Sequence, residues 1–370
     1  MGVMVMNKTT RKFDIILFGV VLITIIFGIV MIYSASSVWA EYKFNDSFKF
    51  IKAQGFFFII GIFIMLFVSK IDYHIYQKKA NVILLICFML LILVLIPGIG
   101  KIRNGSRSWF GIGSLGIQPS EFAKIGLIIF VSKYLAKNQN LMKSVIKGAL
   151  PILGVIAIFF LLIMLEPDFG TGVVIVLTLV SIIFVSGVNI SFFVRIGCVG
   201  LLGVVGLVIA APYRLKRIVS FVNPWTDPLG SGYQIIQSLY AIGPGGLLGQ
   251  GFMQSRQKHF YLPEPQTDFI FSIISEEFGF LGVLIVCSLF FIIFYRSLKI
   301  SLSCKDLFGK YLAFGLSFGI LIQASLNLMV VVGLIPVTGV TLPFLSYGGS
   351  SLLISMISIG ILLNISRSSN

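Results

Sequence analysis

Charge is scarce in this chain, and acid is scarcer still. Of 370 residues only 11% are charged, and thirteen are acidic against twenty-eight basic. A soluble domain of this size is not wrapped in so little charge while 57% of its residues are hydrophobic. The soluble classes drop out, and a polytopic membrane protein is left. Histidine is nearly absent. His74 and His259 fall on opposite sides of the expected membrane, which argues against a histidine-based metal site. Of four cysteines, Cys87, Cys198 and Cys287 lie in apolar runs and Cys304 on the cytoplasmic side. None faces an oxidising exterior, so no disulfide is expected. No cleavable leader is evident, and the first apolar run is long enough to stay as an anchor.

Long apolar runs are abundant. A hydrocarbon core of ~30 Å needs ~20 apolar residues per helix. That rule predicts ten spans, near 13–33, 53–69, 80–97, 119–136, 149–165, 170–187, 190–211, 268–295, 309–334 and 345–365. They are too long and too little alternating for barrel strands. The expected fold is all-α: a polytopic integral membrane protein of ten transmembrane helices, one domain over 1–370. Residues 1–12 form a basic cytoplasmic tail, and 212–267 form one long extracytoplasmic loop between the seventh and eighth helices. With ten spans, the side holding both termini carries fifteen Lys or Arg residues. The short loops opposite carry six: Lys43, Lys49, Lys52, Lys101, Arg103 and Arg107. The positive-inside rule puts both termini in the cytoplasm. The net charge of +15 is then topology and not a nucleic-acid signature.

One stretch organises the rest, SRQKHFYLPEPQTDFIFSIISEEFGFLG at 255–282. It starts basic, stiffens at Pro263 and Pro265, and enters an apolar run at Asp268. An ionisable group at the mouth of a membrane helix marks a functional site. The bland alternative is a helix-dipole cap. Ser272 and Ser275 follow at i+4 and i+7, in register with the acid, and Glu276 and Glu277 lie deeper, where one of them is available to Lys124.

Other polar features stand out against the apolar background. Lys101 to Phe110 combines three cations with an aromatic pair. It suits a membrane-surface anchor, or a site where Arg107 meets an anionic headgroup and Trp109 stacks on a sugar or isoprenoid. In Gln118 to Lys124, Pro119 and Glu121 suit a helix start. Lys124 lies on the same face as Glu121, nearly a turn deeper, which favours a site-shaping pair. Glu166 and Asp168 sit in a tight turn and suit capping. In 212–267, Arg214, Lys216 and Arg217 open the loop, 234–242 reads as a surface helix, and 243–251 reads as a flexible glycine-rich turn. Arg256 and Lys258 close it with two more cations. Asn327 is a buried polar group. The run 333–351, which includes Ser346, breaks its helix with two prolines, and broken helices beside a cavity are the membrane form of a binding site.

Four segments carry a family resemblance: NGSRSWFGIGSLGIQPSEFAK at 104–124, NPWTDPLGSGYQIIQSLYAIGPGGLLGQG at 223–251, the 255–282 stretch, and GLIPVTGVTLPFLSYGGSS at 333–351. In this order they resemble the SEDS family (shape, elongation, division and sporulation), from the first span to the last. The wording of the long loop, with Gln266 where elongation members usually have His, resembles the division and sporulation branch. The resemblance implies a ten-helix polymerase of peptidoglycan glycan strands. Its substrate would be lipid II, and its partner a class B penicillin-binding protein in the bacterial cell membrane. It places the family's essential acid on Asp268, and its helix-four acid and lysine on Glu121 and Lys124. The implied chemistry is glycosyl transfer with release of undecaprenyl diphosphate. It needs a base, for which Asp268 is the one outer-mouth acid on a rigid helix start. It needs cations for the departing diphosphate, drawn from Arg107, Lys124, Arg214, Arg217, Arg256 and Lys258. Ser346 joins them as a substrate-binding candidate. A divalent cation, Mg or Mn, is an optional sharer of that charge, although no ligand cluster is visible. The rival readings are a lipid II flippase and a non-catalytic scaffold for a transpeptidase.

Overall fold

The computed structural model describes residues 13–369 apart from 104, 113–114, 144–147, 210–214 and 216–218. A helix lies on each expected run. They are α1 (Ile15–Phe44), α2 (Lys49–Val68), α3 (His74–Leu95), α4 (Pro119–Lys137), α5 (Leu150–Leu165), α6 (Phe169–Val185) and α7 (Ile190–Ile209). The short α8 (Tyr233–Ile242) sits within the long connection, and α9 (Ile270–Ser303), α10 (Leu307–Val331) and α11 (Gly349–Ser369) follow. Six of these, α1, α2, α3, α9, α10 and α11, are long and apolar enough to cross a membrane. Helices α5 and α6 are apolar but shorter. The sequence of α4 is interrupted by Glu121, Lys124, Lys133 and Lys137.

Scarce acids are used to start helices. Asp14 accepts from the Leu17 amide at 2.9 Å and Asp306 from Gly309 at 2.9 Å, each satisfying a backbone donor that the helix leaves open. Asp14 also receives Arg296 through two nitrogens, at 2.6 and 3.0 Å, which ties the start of α1 to the body of α9. Burial sorts the bundle into layers. The apolar stretches of α10 and α11 are 67% and 78% buried, against 22% for α3 and 28% for α2 and α9. Helix α10 is therefore central, packed against α4, α6, α9 and α11, while α2 and α3 present apolar faces outward.

Two local features depart from the sequence expectation. Residues 101–117 form a three-stranded antiparallel sheet, β1 (Lys101–Arg103), β2 (Ser106–Ile112) and β3 (Leu115–Ile117), in the order β1-β2-β3. Its strands are too short, and too interrupted by glycine, for alternation to declare them. Second, α9 is broken at Gly279, where φ is 58°. The glycine-rich turn is not loose, because it fills this break. Gln250 and Gly251 donate to the carbonyls of Glu276 and Glu277 at 2.9 and 3.0 Å, and Phe280 donates back to Gly246 at 2.9 Å. A Cβ on Gly279 would lie 2.5 Å from the Gly249 nitrogen, so this approach requires glycine as well as its φ.

Candidate active site

Two amides on α10 build the centre of the site. Gln323 and Asn327 are four residues apart, so they share a face one turn apart, and both are buried. Gln323 donates to the Thr341 carbonyl at 3.1 Å, and its own carbonyl accepts from the Lys124 ammonium at 2.6 Å. Asn327 donates to the Val340 carbonyl at 2.7 Å and to the Asp268 carbonyl at 2.7 Å. The pair thus clamps consecutive carbonyls of the broken 332–348 segment. It also fixes the Lys124 side chain and the Asp268 backbone on neighbouring turns of one helix. Gln323 uses both ends of its amide, whereas Asn327 makes both bonds through its nitrogen, and its buried Oδ1 has no hydrogen-bond partner among the described residues.

Lys124 also donates to Glu121 at 2.7 Å, with both side chains at most one-tenth exposed (10% and 7%). The expected pair is present. Beside it stands Asp168, the N-cap of α6, whose carboxylate accepts from Thr171 at 3.2 Å, Gln118 at 2.8 Å and Ser120 at 3.3 Å. Burial raises its pKa, the Glu121 charge adds to that, and the bonds from Thr171 and Ser120 act against it.

Glu166 closes the end of α5 with its backbone, but its side chain caps no helix. Its carboxylate is fully buried, with no hydrogen-bond partner among the described residues. Burial, with help from Asp168, pushes its pKa up to about 9. Between its unfolded value and about 9 the folded chain holds the extra proton, so stability falls as pH rises through that window. The melting temperature should therefore decline from pH 5 to pH 9, and Glu166→Gln should flatten the decline and raise the melting temperature at pH 8. An unchanged slope in differential scanning fluorimetry would mean that the carboxylate is solvated.

Asp268 is half-buried and lies just before α9. The N-cap position belongs to Phe269, and the first helical residue is Ile270, so the acid precedes the helix that was expected to begin with it. The Thr267 hydroxyl lies 2.8 Å from its Oδ1. The elbow is held from both sides. Tyr347 donates to the Gln266 carbonyl at 2.8 Å, and Asn327 holds the next carbonyl but one. The serine stripe beyond it packs instead of facing a ligand: Ser272 meets Ser238 at 2.8 Å, and Ser275 bonds back to Phe271 at 2.8 Å.

Lys258 turns into the fold. It is 3% exposed, and its ammonium donates to Met253 O at 2.6 Å and Glu277 at 3.2 Å. Ser34 of α1 donates to the same glutamate at 2.6 Å. Glu277 is therefore the partner of Lys258 and not of Lys124. Glu276 gathers the neighbouring loop, accepting from the Ser255 hydroxyl at 2.6 Å and the Arg256 amide at 2.8 Å. Lys258→Ala leaves Glu277 buried and uncompensated, so it should lower the melting temperature and yield of folded protein. A variant with wild-type melting temperature and weakened substrate binding would return Lys258 to the substrate.

The remaining candidates are spread around this core. The Arg256 side chain is exposed on the connection between α8 and α9. Arg107 is half-buried on β2, and its guanidinium donates to Leu95 O at 3.4 Å. Trp109 pairs across the strands with Lys101. The Ser346 hydroxyl turns inward, accepting from the Leu342 amide at 2.8 Å, and so closes a turn. Arg214 and Arg217 lie outside the described residues. In the sequence Asn327 stands out as one more buried polar group, and Gln323 does not stand out. The available signal was two amides at i and i+4 within an apolar span.

A family model described as cell cycle protein, covering FtsW, RodA and SpoVE, matches residues 14–370. Stage V sporulation protein E of Bacillus subtilis (strain 168) is 54% identical over 361 residues, 97% of this chain and 99% of that protein. The chain belongs to the FtsW/RodA/SpoVE, or SEDS, family. A probable peptidoglycan glycosyltransferase FtsW from Geobacter sp. (strain M18) is 41% identical over 359 residues, 97% of this chain and 98% of that protein. Among solved structures, a chain from work on the structural coordination of polymerization and crosslinking by a peptidoglycan synthase complex matches with a TM-score of 0.78. It is 29% identical and covers 96% of this chain and 98% of that one. In this SEDS protein the four segments that carried the resemblance meet around α10 and the α9 break. Segment 333–351 is clamped by α10, 104–124 supplies Glu121 and Lys124, and 223–251 with 255–282 fills the break.

Proposed function

We propose that this chain is a peptidoglycan glycosyltransferase that polymerises lipid II, with Asp268 as the base. The observation that carries the reading is the α10 clamp, which holds Asp268 and the Glu121–Lys124 pair on adjacent turns. A base fixed through its own backbone, on a rigid elbow, meets the positional demand of general base catalysis. The Asp268 carboxylate takes the proton of an acceptor sugar hydroxyl as that oxygen attacks the anomeric carbon of the donor. The bond from that carbon to the diphosphate oxygen breaks, and the electron pair leaves with undecaprenyl diphosphate. Lys124 and the outer cations Arg107 and Arg256 lower the energy of the developing negative charge. Arg214 and Arg217 complete the proposed set. Among the described residues no three His, Cys, Asp or Glu side chains gather as a metal-ligand set.

The reading includes a partner and an orientation. A class B penicillin-binding protein would crosslink the strands, since a polymerase alone leaves them unlinked. The chain crosses the bacterial cell membrane ten times with both termini cytoplasmic, supported by the fifteen-to-six bias in basic residues. A cysteine at Ser231 should react with an impermeant thiol reagent in intact cells, and one at Ser303 should not; the reverse pattern inverts the topology.

The test separates an enzyme from a flippase. In detergent there is no second compartment, so transport contributes nothing to product. Purified protein with lipid II and a cognate class B penicillin-binding protein should give glycan strands there. Lipid II translocation in liposomes with no polymer under either condition would favour the transporter. Neither activity would leave the scaffold.

A further inference from the structure

One end of the bundle gathers four lysines around a hollow. A cavity of about 610 Å³ opens between α3, α4 and the α9–α10 connection, and Lys78, Lys133, Lys137 and Lys305 all line it. Its one acid, Asp306, already caps α10 through the Gly309 amide at 2.9 Å and lies 3.8 Å from the His74 ring. Four ammonium groups gathered on one hollow repel one another, and that repulsion is relieved by an anion.

A second cavity, about 270 Å³ and almost wholly apolar, runs between α3 and α5, lined by Leu85 and Phe88 on one side and Ile158 and Phe159 on the other. Leu85 and Ile158 are 55% and 52% exposed, so the groove opens outward, and the Phe88 and Phe159 rings meet at 5.9 Å along it. Asn81 links the linings of the two neighbouring cavities. It lines the apolar groove, and its carbonyl accepts from Lys133 at 3.0 Å.

Along one face of α3 the order is Lys78, Asn81, Leu85, Phe88, at spacings of three, four and three that keep one stripe. Ten residues of helix rise ~15 Å, half of a ~30 Å hydrocarbon core. The stripe therefore passes from charge through amide to hydrocarbon over the depth of one leaflet.

We propose that these neighbouring cavities together hold an anionic phospholipid. Its phosphate headgroup lies among Lys78, Lys133, Lys137 and Lys305, and an acyl chain lies in the α3/α5 groove. Charge complementarity selects an anionic headgroup over a zwitterionic one, and the adjacent apolar groove selects a lipid over a soluble anion. In the orientation proposed above this is a lipid of the cytoplasmic leaflet, well away from the Asp268 elbow. Basic pockets between membrane helices suit such headgroups.

Delipidated full-length protein, titrated with phosphatidylglycerol or phosphatidylcholine and read by native mass spectrometry, tests this. Phosphatidylglycerol should be retained at least about fivefold better, and each lysine changed to Gln should lower its affinity about fivefold. Lys78→Gln/Lys133→Gln/Lys305→Gln should then lose about a hundredfold while keeping the wild-type melting temperature. Ile158→Trp, which fills the groove and leaves every charge in place, should also weaken retention. Millimolar inorganic phosphate should leave the lipid bound. Equal retention of the two lipids overturns the proposal, as does an unaffected triple variant. Displacement by phosphate alone would reduce the site to a pocket for a free anion and also overturn it. An unaffected Ile158→Trp variant would remove the acyl groove from the site.

Discussion

Asp268→Asn protein should insert, fold and bind its partner as the wild type does, and make almost no glycan. Asparagine preserves the shape of the side chain and leaves the backbone carbonyl free to accept from Asn327. It caps a helix about as well as aspartate, so a capping role would survive the change. A cap interaction is in any case worth only ~0.3–1 kcal/mol, and the N-cap position of α9 is taken by Phe269. What the amide cannot do is accept the hydroxyl proton. Loss of a general base typically lowers rate by ~10²–10⁴-fold, and a drop of that size on a gel of lipid II polymer is the expected result. Near wild-type polymer would make Asp268 a structural residue, with Glu121 the next candidate for the base.

Lys124→Ala carries the second large effect, on both stability and activity. The change strips Glu121 of its ion pair at 2.7 Å and Gln323 of its bond at 2.6 Å. Removing one partner of a buried pair costs about 3–5 kcal/mol, because the other charge is left uncompensated. Among the described residues Glu121, next to Asp168, has no second ion-pair partner to turn to. Thermal unfolding should show the loss directly. A double variant, Glu121→Gln with Lys124→Met, removes both charges and keeps the volume. It should recover most of the stability, since a buried pair replaced by neutral groups is often neutral in cost. It should remain inactive if the pair serves the reaction. Normal polymerisation by the double variant would reduce the pair to packing.

Much of this site was legible in the sequence because the chain is so apolar. In spans of Leu, Ile, Val and Phe, a charged residue stands out, and Asp268, Glu121 and Lys124 were found that way. Their proximity to α10 was not legible. It depends on Gln323 and Asn327, uncharged residues that look ordinary until the carbonyls of Val340 and Thr341 are placed beside them. Lys258 misled for the opposite reason. A lysine in a basic loop reads as solvent-facing, and only the fold brings Glu277, Ser34 and Met253 O around it. The break in α9 was hidden as well. A glycine in an apolar run is tolerated in many helices, and Gly279 declares itself only through the 243–251 turn packed against it. The small sheet at 101–117 was obscured by strands of three and seven residues.

The most direct measurement is the yield of undecaprenyl diphosphate against glycosidic bonds formed, in detergent, with wild-type protein and Asp268→Asn side by side. The account predicts one diphosphate released for each bond made by the wild type, and neither product from the variant. Polymer from both proteins in equal amount, or lipid II left unconsumed by the wild type together with its class B penicillin-binding protein, would contradict it.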